Sequence, residues 1–443
     1  MADIAPLTPL RYDLSRLPGG LADVVAPPYD VIDEAHRQKL FARHASNVCR
    51  LILPDGEGDA KYGHAAKVLD EWKSGGVLVR DDEPAFYVYE QTFTPPGTPA
   101  GGAAITHTGF LGLVRVVPFS ERVVLPHERT LSGPKEDRLK LFRATRTNLS
   151  PGFMLYRDPQ NVVAKALAER VHVATFTTED GVKHVLSKVA DPAAIRAVVE
   201  HVKTSQLLIA DGHHRYETAL RYSEEVGAAT PDALPNGAHR YFMVFFASSD
   251  DPNLVVFPTH RHVHSVDGFS WDGAVSKLAT WFDVRPLARG GDAASALAAL
   301  GDAGARGNAF VMCGRGGEML LVTLKAGADL AKHPVVGALT PALRKTDVAV
   351  LHGGILEDVL GITKEAQAAK TNLFYPQDAT KALADLRGGV GQALFLMNAT
   401  PVDHVREVAE AGEVMPQKST FFYPKIATGL CIHTLEPSRP VAI

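Results

Sequence analysis

Short apolar runs alternate with segments of helical periodicity along most of this 443-residue chain. Residues 48–53 and 86–90 are short apolar runs, and each predicts a strand. Between them, residues 60–73 repeat apolar positions at helical spacing, which predicts a helix. The alternation predicts an α/β protein, with an α+β arrangement of helices around a mixed sheet.

One segment indicates an antiparallel component in this sheet. Residues 105–117 alternate apolar positions with small or polar ones, and they follow the Pro-, Gly- and Ala-rich stretch 94–103. We expect the strands on either side of that stretch to pair as a hairpin with a long, mobile tip.

Changes in composition predict three domains. Residues 1–265 carry most of the polar motifs and are predicted to form the catalytic core. Residues 266–330 are rich in Ala and Gly and have few polar groups suited to catalysis, which predicts an α/β packing module. Residues 331–443 return to alternating helix and strand patterns. We expect this last segment to return to the site and to supply a Lys-Ser-Thr loop.

Charge and cysteine content exclude several classes of protein. Lys and Arg number 46 against 50 acidic residues, so no overall basic field indicates binding to nucleic acid or to acidic membranes. The three cysteines, Cys49, Cys313 and Cys431, make no paired spacing and predict neither disulfides nor a Cys-based zinc site. With no secretory signal and no long apolar run, a cytoplasmic location is expected.

The stretch Asp211-Gly212-His213-His214-Arg215-Tyr216-Glu217 carries the strongest chemical signal. An apolar run precedes it and a helical pattern follows it, which predicts a strand, a tight turn and a helix. The start of a helix has unpaired backbone N–H groups and a partial positive charge, so cations placed there indicate a phosphate site. The alternative is a solvated helix start that is capped by Asp211.

Two further clusters combine cations with hydroxyl groups. The first is His127-Glu128-Arg129-Thr130 with Lys135 and Arg138, on a predicted loop before a helix that starts near Pro134. Its alternative is a surface ion-pair network of Glu128, Arg129, Lys135 and Asp137. The second is Lys418-Ser419-Thr420 with Lys425, which lacks the glycines of a Walker loop. Its side chains can donate to phosphate oxygens, and the alternative is a solvated turn.

Two more motifs complete the candidate set. Pro27 and Pro28 stiffen a turn that carries Tyr29 and Asp30, and Asp30 alternatively caps the helix that begins near Asp33. His260, His262 and His264 would share one face of a strand and could bind zinc.

The Gly212-His213-His214-Arg215 turn resembles the signature of the ParB/sulfiredoxin-like fold, whose members hold nucleotide phosphates with a Gly-x-His-Arg turn. The resemblance implies this fold for the catalytic core, residues 1–265. Sulfiredoxins have a catalytic cysteine at the second position, where this chain has His213, so sulfiredoxin activity is excluded. The sequence also shows no helix-turn-helix module with basic stripes, which a ParB partition protein would need.

Across nearly the full chain, the motifs around Asp30, Glu128, Asp211 and Lys418 together resemble the DUF1015 family, which is similar to free-serine kinases. Some of those kinases use ATP or ADP and some use pyrophosphate. The resemblance implies phosphorylation of L-serine to O-phosphoserine, and it places Asp211, His213, His214 and Arg215 in the phosphate site.

We therefore predict a kinase that transfers a phosphoryl group to free L-serine from pyrophosphate, which we favour, or from ATP/ADP. The predicted catalytic residues are Asp211, His213, His214, Glu128 and Asp30, of which Asp30, Glu128 and His214 are equal candidates for the general base. Tyr29 and Tyr216 are predicted to contact substrate, and Asp211 or Glu128 to anchor Mg²⁺. The predicted phosphate contacts are Gly212, Arg215, His127, Arg129, Thr130, Lys135, Arg138, Lys418, Ser419, Thr420 and Lys425.

This prediction requires the distant motifs to converge in one electropositive cavity. The alternatives are a non-catalytic protein that binds nucleotide or phosphate for regulation, a structural scaffold, and a metal-dependent hydrolase built on the three histidines. No partner nucleic acid or membrane is expected, and the sequence does not predict an oligomeric state.

Overall fold

The computed structural model describes residues 1–95, 102–130 and 132–442, without the side chains of Ser132 and Pro134. The chain forms two compact units. Unit 1 comprises Met1–Pro126, Thr130–Val255 and Pro424–Ile443, and unit 2 comprises His127–Arg129 and Val256–Tyr423.

The strands, in chain order, are β1 (Ile4–Ala5), β2 (Leu10–Tyr12), β3 (Leu78–Arg80), β4 (Phe86–Phe93), β5 (Ile105–Arg115), β6 (Val124–Leu125), β7 (Thr147–Asn148), β8 (Gly152–Tyr156), β9 (Val171–Thr177), β10 (Lys183–Val189), β11 (Leu207–Asp211), β12 (Tyr241–Ser248), β13 (Val255–Phe257), β14 (Arg261–Val263), β15 (Phe282–Pro286), β16 (Ala309–Gly314), β17 (Met319–Leu324), β18 (Leu373–Phe374), β19 (Ala393–Met397), β20 (Phe421–Tyr423) and β21 (His433–Thr434).

The α-helices, in chain order, are α1 (Glu34–Arg43), α2 (Cys49–Ile52), α3 (Ala60–Ser74), α4 (Ser132–Thr145), α5 (Val162–Ala166), α6 (Pro192–Lys203), α7 (His213–Ala229), α8 (Trp271–Leu278), α9 (Ala293–Gly304), α10 (Pro341–Arg344), α11 (Asp347–Val350), α12 (Lys364–Ala369), α13 (Ala379–Arg387) and α14 (Val402–Glu410). A π-helix spans Leu351–Glu357 and directly follows α11.

Unit 1 is built on a nine-stranded mixed sheet in the order β6-β11-β8-β12-β5-β4-β10-β9, with β1 paired to β5. The β11–β6 and β12–β8 pairs are parallel, whereas β4 and β5 form the predicted antiparallel hairpin. The predicted mixed α/β class is confirmed. The centre of the predicted hairpin tip, residues 96–101, lies outside the described residues.

The core of unit 1 lies on this sheet and is rich in aromatic rings. Phe86, Phe110, Phe242 and Phe246 are buried in one cluster, and the rings of Phe110 and Phe246 stack at a centroid distance of 5.0 Å. Gly109 allows β5 to lie close to β12, because a Cβ atom there would be 2.4 Å from the carbonyl oxygen of Phe246. This packing supports the sheet that contains β11, the strand that leads to the candidate site.

Unit 2 contains a six-stranded antiparallel sheet in the order β15-β17-β16-β19-β14-β18. Helices α9 and α13 cover it with buried Ala and Leu side chains, including Leu300 and Leu386, against Val311 and Leu396 of the sheet. Small residues at these helix positions let the helices approach the strands closely.

The predicted segments 266–330 and 331–443 are distributed differently from the two observed units. β16, from the first segment, pairs with β19, from the second, across the register Phe310 to Met397. Pro424–Ile443 belongs to unit 1, where β21 pairs with β7. Strand pairing between distant segments, which composition does not encode, sets this division.

The strand predicted at residues 48–53 is wrong, because this stretch contains the short helix α2. The Asn47 side chain accepts a hydrogen bond from the Cys49 backbone N at 2.9 Å and donates to the carbonyl oxygen of Val25. A short apolar run does not distinguish a buried strand from a buried helix, and here the Asn47 contacts favour the helix. Helix α3 and strand β4 confirm the neighbouring predictions.

Along the described ranges, none of the helices combines the length and the apolar composition that a membrane crossing requires.

Candidate functional site

The predicted strand, turn and helix around Asp211 are confirmed. Strand β11 ends at Asp211, Gly212 turns the chain with φ of 92°, and α7 begins at His213. A Cβ atom on Gly212 would lie 3.0 Å from Nε of Arg215, and the left-handed backbone also favours glycine. Gly212 is the N-cap residue and has no side chain that could cap the helix, so the alternative role of Asp211 as the helix cap stays a prediction.

The Asp211 carboxylate pairs with two cations. The Arg215 guanidinium donates through Nη2 to Oδ2 of Asp211 at 2.8 Å, and through Nη1 to the carbonyl oxygen of Pro151. Nζ of Lys425 lies 3.7 Å from Oδ1 of the same carboxylate. Arg215 is buried, so these partners fix the direction of its planar head group. One carboxylate therefore orients two positive groups on different segments of unit 1.

Helices α4 and α7 run in the same direction, and ion pairs that join them show this. The pairs are, in order along both helices, Lys135 with Glu217 (3.4 Å), Glu136 with Arg221 (3.1 Å) and Arg143 with Glu225 (2.8 Å). Residue numbers rise together on both helices, so the two N-termini lie at the same end. Their partial positive charges add at that end, which favours an anion there.

Arg138, on α4, is buried and packs its guanidinium 4.3 Å from the centre of the Tyr29 ring. Burial raises the pKa of Tyr29; the positive charges of Arg138 and Arg215 oppose this rise, and the carboxylate of Asp211 adds to it. The 3-10 turn that carries Tyr29 is therefore within the electrostatic field of the Asp211 cluster. Asp30 follows on the same turn and is exposed.

A small cavity of about 20 Å³ lies beside these groups. Its polar lining includes Tyr29, Arg138, Asn148, Ser150 and Arg215. It is large enough for about one water molecule, which needs at least about 10–15 Å³. Unit 1 therefore brings together the motifs around Tyr29, Arg138, Asn148 and Arg215, which lie far apart in the sequence.

Asp137 is a supporting residue that the motifs did not assign to the site. Its Oδ1 accepts hydrogen bonds from Nζ of Lys61 at 2.9 Å and from the Tyr62 hydroxyl at 2.8 Å, and its Oδ2 accepts one from Nε of Arg138 at 2.9 Å. Burial opposes ionisation, but Arg138 and Lys61 outweigh it and lower the pKa of Asp137 to about 2. In the sequence, the helix start predicted near Pro134 was the one feature that could have indicated this supporting role of Asp137.

We expect Asp137→Asn to lower the free energy of unfolding by about 1–2 kcal/mol at pH 7. Because the folded-state pKa of Asp137 is below its ordinary value, its contribution is present above pH of about 4 and is lost as the pH falls towards about 2. Urea unfolding of both proteins from pH 7 to pH 2 measures this. As a control, exposed Asp70→Asn should change stability by less than about 0.5 kcal/mol throughout. If the difference in unfolding free energy between Asp137→Asn and the unchanged protein stays constant with pH, the ionised Asp137 carboxylate is not its source.

Other predicted residues of unit 1 have structural contacts. Lys135 donates to the Thr130 hydroxyl at 3.2 Å and forms an ion pair with Glu217. Glu217 was not a member of the surface ion-pair network that the sequence offered as an alternative for Lys135. The Tyr216 hydroxyl donates to the carbonyl oxygen of Val117 at 2.8 Å, and its ring is fully buried. Tyr216 thus packs in the core of unit 1. His213 is buried in the first turn of α7.

In unit 2, the His127 segment contacts the Lys418 loop. Nε2 of His127 and the Thr420 hydroxyl are 2.9 Å apart, and the Glu128 carboxylate accepts a hydrogen bond from the backbone N of Lys418. Lys418 has φ of 56°, an uncommon conformation for a residue with a side chain. The Ser419 hydroxyl donates to the Pro416 carbonyl oxygen. These contacts hold the loop in one shape.

Arg261 supports the same loop from within unit 2. Its guanidinium is fully buried and donates to the carbonyl oxygen of Lys418 at 3.1 Å and to Nε2 of His352 at 2.9 Å. Burial lowers the pKa of Arg261 to about 10, and Tyr375 and Glu128 partly oppose this. The sequence placed Arg261 between two candidate zinc ligands and indicated no role for it.

The three histidines of that motif have separate partners. Nδ1 of His260 accepts from the Met397 backbone N at 3.1 Å, and Nε2 of His262 lies 2.7 Å from the carbonyl oxygen of Val390. Nδ1 of His264 lies 3.0 Å from the Ser265 hydroxyl. Within the described parts of the chain, no group of three His, Cys, Asp or Glu residues is arranged to hold a metal ion. The hydrolase alternative has no support from this geometry.

The sequence matches the family described as "Protein of unknown function (DUF1015)" over residues 4–349. The chain belongs to the DUF1015 family. No curated protein matches it.

Three solved structures are similar to this DUF1015 protein at low identity. A free serine kinase in complex with AMP is 14% identical, with 71% of this chain and 89% of that chain covered and a TM-score of 0.36. A conserved hypothetical protein from Pyrococcus furiosus is 15% identical, with 71% and 92% covered and a TM-score of 0.35. SbnI with C-terminal truncation from Staphylococcus aureus is 11% identical, with 72% and 85% covered and a TM-score of 0.35. Such likeness is too remote to assign an activity.

The predicted Mg²⁺ anchors differ in how well they suit the ion. Mg²⁺ is commonly held by one or two carboxylates together with phosphate oxygens and water. Asp211 fits as such an anchor, because its carboxylate lies beside Arg215 and Lys425, the cations of the candidate phosphate site. In Glu128, Oε1 already accepts from the backbone of Lys418. The convergence of the unit 1 and unit 2 motifs in one cavity stays a prediction for this DUF1015 protein.

Proposed function

We propose that the protein is a small-molecule kinase that transfers a phosphoryl group to the hydroxyl of free L-serine. The observation that carries this proposal is the arrangement in unit 1. There Asp211 orients Arg215 and Lys425, and the parallel helices α4 and α7 have their N-termini at one end. Phosphoryl transfer depends mainly on positioning the reactants and on stabilising negative charge, which these groups do.

Arg215 and the start of α7 bind the transferred phosphate in this proposal, and Arg138 and Lys425 neutralise the donor. Both arginines are buried with fixed hydrogen-bond partners, so they are positioned before substrate binds. Mg²⁺, anchored by Asp211, would enter with the donor and balance charge on its oxygens. Serine binds beside Tyr29.

Asp30 accepts the proton of the serine hydroxyl in this proposal. Its side chain is exposed and lies on the 3-10 turn that begins at Tyr29. Glu128 is the weaker candidate because its carboxylate caps the backbone of Lys418. His214, half-buried in the first turn of α7, is the remaining candidate for this role.

Pyrophosphate is the donor that we favour, with ATP or ADP as the alternative. Among the polar side chains assembled in unit 1 are cations and hydroxyl or amide groups, including Arg138, Arg215, Lys425, Asn148 and Ser150. Such groups suit the small, highly charged pyrophosphate, whereas an adenine ring requires an apolar slot.

The full-length protein, incubated with L-serine, Mg²⁺ and each donor in turn, is expected to form O-phosphoserine, detected by ³¹P NMR and mass spectrometry. Asp30→Asn should reduce the rate by about 10²–10⁴-fold, as the loss of a general base does. Asp70→Asn, an exposed change on α3, is the matched control and should keep the full rate. Absence of product with every donor would overturn the proposal, and phosphate binding without product would favour the regulatory alternative.

A further inference from the structure

Unit 2 contains a second cavity that the proposed reaction does not use. It has a volume of about 140 Å³, enough for a ligand of a few heavy atoms but too small for a whole nucleotide. The π-helix Leu351–Glu357 and the helix α12 line it, together with the segment that precedes Lys418. π-helices are rare and frequently mark functional sites, which makes this cavity a candidate ligand site.

The inner end of the cavity is polar, and its hydrogen bonds are satisfied. His352 accepts from Arg261 through Nε2 at 2.9 Å, and its Nδ1 lies 2.7 Å from Oε1 of Gln367. The Gln367 amide donates to the carbonyl oxygen of Ile362 at 2.8 Å. Burial and the charge of Arg261 lower the pKa of His352 to about 3, so the imidazole is neutral at pH 7. This end is rigid and presents no charge of its own to a ligand.

The walls are mainly apolar. They are formed by the side chains of Val335, Leu339, Leu343, Val414 and Pro416. A hydrocarbon group placed between them would be removed from water, at about 25 cal/mol per Å² of buried apolar surface. The walls therefore select a ligand with a short aliphatic body.

Three charged residues also line the cavity: Arg129, Lys364 and Glu357. Arg129 and Lys364 are exposed, and Glu357 is half-buried. To the extent that the chain is described, none of the three has a hydrogen bond or ion pair through its side chain. Two cations against one acid give this edge a net positive charge, which favours an anionic group on the ligand.

We propose that this cavity binds a small aliphatic carboxylate, with its hydrocarbon part among the apolar walls and its carboxylate between Arg129 and Lys364. The site goes beyond the kinase reaction. Pro416 and Gln417 line it directly before Lys418, so a bound ligand contacts the loop that Arg261 and Glu128 hold. L-Serine is a poor occupant because its polar side chain would be placed among apolar walls.

The probe for this site is isovalerate, titrated into the full-length protein by calorimetry and by saturation-transfer NMR. We expect saturable 1:1 binding that weakens as salt is added. Isoamyl alcohol, which has the same carbon skeleton without the charge, should bind about ten-fold or more weakly. Equal binding of acid and alcohol, or no saturable binding of isovalerate, would overturn the proposal.

Variants locate the binding. Ala368→Phe fills the cavity and should abolish binding, whereas Ala369→Phe, on the next exposed residue of α12 and outside the lining, should bind as the unchanged protein does. Lys364→Gln should weaken the binding of isovalerate by about five- to ten-fold without weakening the binding of isoamyl alcohol. Thermal melting confirms that each variant is folded. Unchanged binding of isovalerate in Ala368→Phe and Lys364→Gln would show that it does not bind in this cavity. Since only binding is measured, this failure is distinct from a failure of the kinase proposal.

Discussion

Asp211→Asn is expected to lower the rate of phosphoserine formation by about 10²–10³-fold. The amide keeps the size of the side chain and can still accept a hydrogen bond from Arg215, but it no longer carries the charge that holds Arg215 and Lys425. Two cations whose mutual repulsion is no longer compensated should move apart, and the phosphate that they bind would be misplaced. A shift of about 1 Å at a reacting centre can cost about 10²-fold in rate.

The matched control for this prediction is Asp81→Asn. Asp81 also lies in unit 1 and forms a close ion pair, with Nη2 of Arg11 at 2.7 Å, but it is outside the proposed site. Both variants should lose a similar amount of stability, about 1–3 kcal/mol, measured by urea unfolding. Only Asp211→Asn should lose activity. Equal rates of phosphoserine formation in Asp211→Asn and Asp81→Asn would show that Asp211 has only a structural role.

Arg261→Ala is expected to lower the free energy of unfolding of unit 2 by about 2–4 kcal/mol. The change leaves Nε2 of His352 and the carbonyl oxygens of Thr259 and Lys418 without their donor, inside the protein. It also leaves a cavity. Removing a fully buried charge returns some of the cost of its desolvation, so the net loss is smaller than the sum of these contacts.

Tryptophan fluorescence during urea unfolding measures this effect, because Trp271 and Trp281 lie in unit 2. Arg289→Ala is the control: Arg289 is exposed and pairs with Glu318 at 2.8 Å, so its loss should cost less than about 1 kcal/mol. Arg261→Lys should recover part of the stability, since an ammonium group reaches fewer of the same acceptors. Equal stability of Arg261→Ala and Arg289→Ala would show that the buried network contributes little.

The elements that the sequence predicted well are those with local signals. The strand, glycine turn and helix around Gly212 depend on residues within about ten positions of one another, and the hairpin of β4 and β5 follows from neighbouring alternating runs. The helix α2 was missed because its short apolar run is compatible with either state, and the deciding contacts of Asn47 reach Asp23 and Val25.

Candidate site residues were predicted by type, but their partners were not. The Asp211 turn indicated an anion site, yet its ion pair with Lys425 joins residues more than two hundred positions apart. The sequence assigned Asp137 only to an alternative surface ion-pair network and gave Arg261 no role, because their importance comes from what surrounds them after folding. Burial and hydrogen-bond partners depend on non-local packing, which one sequence does not reveal.

By itself, the sequence determined the mixed α/β class, the DUF1015 resemblance and the chemical character of the Asp211 turn. Only the tertiary structure decided that Asp211 orients Arg215 and Lys425, that α4 and α7 start at the same end, and that an apolar cavity with a charged edge exists in unit 2. The physical reason is distance along the chain: periodicity and turn chemistry act between near neighbours, whereas these arrangements arise from strand pairing and helix packing between remote segments.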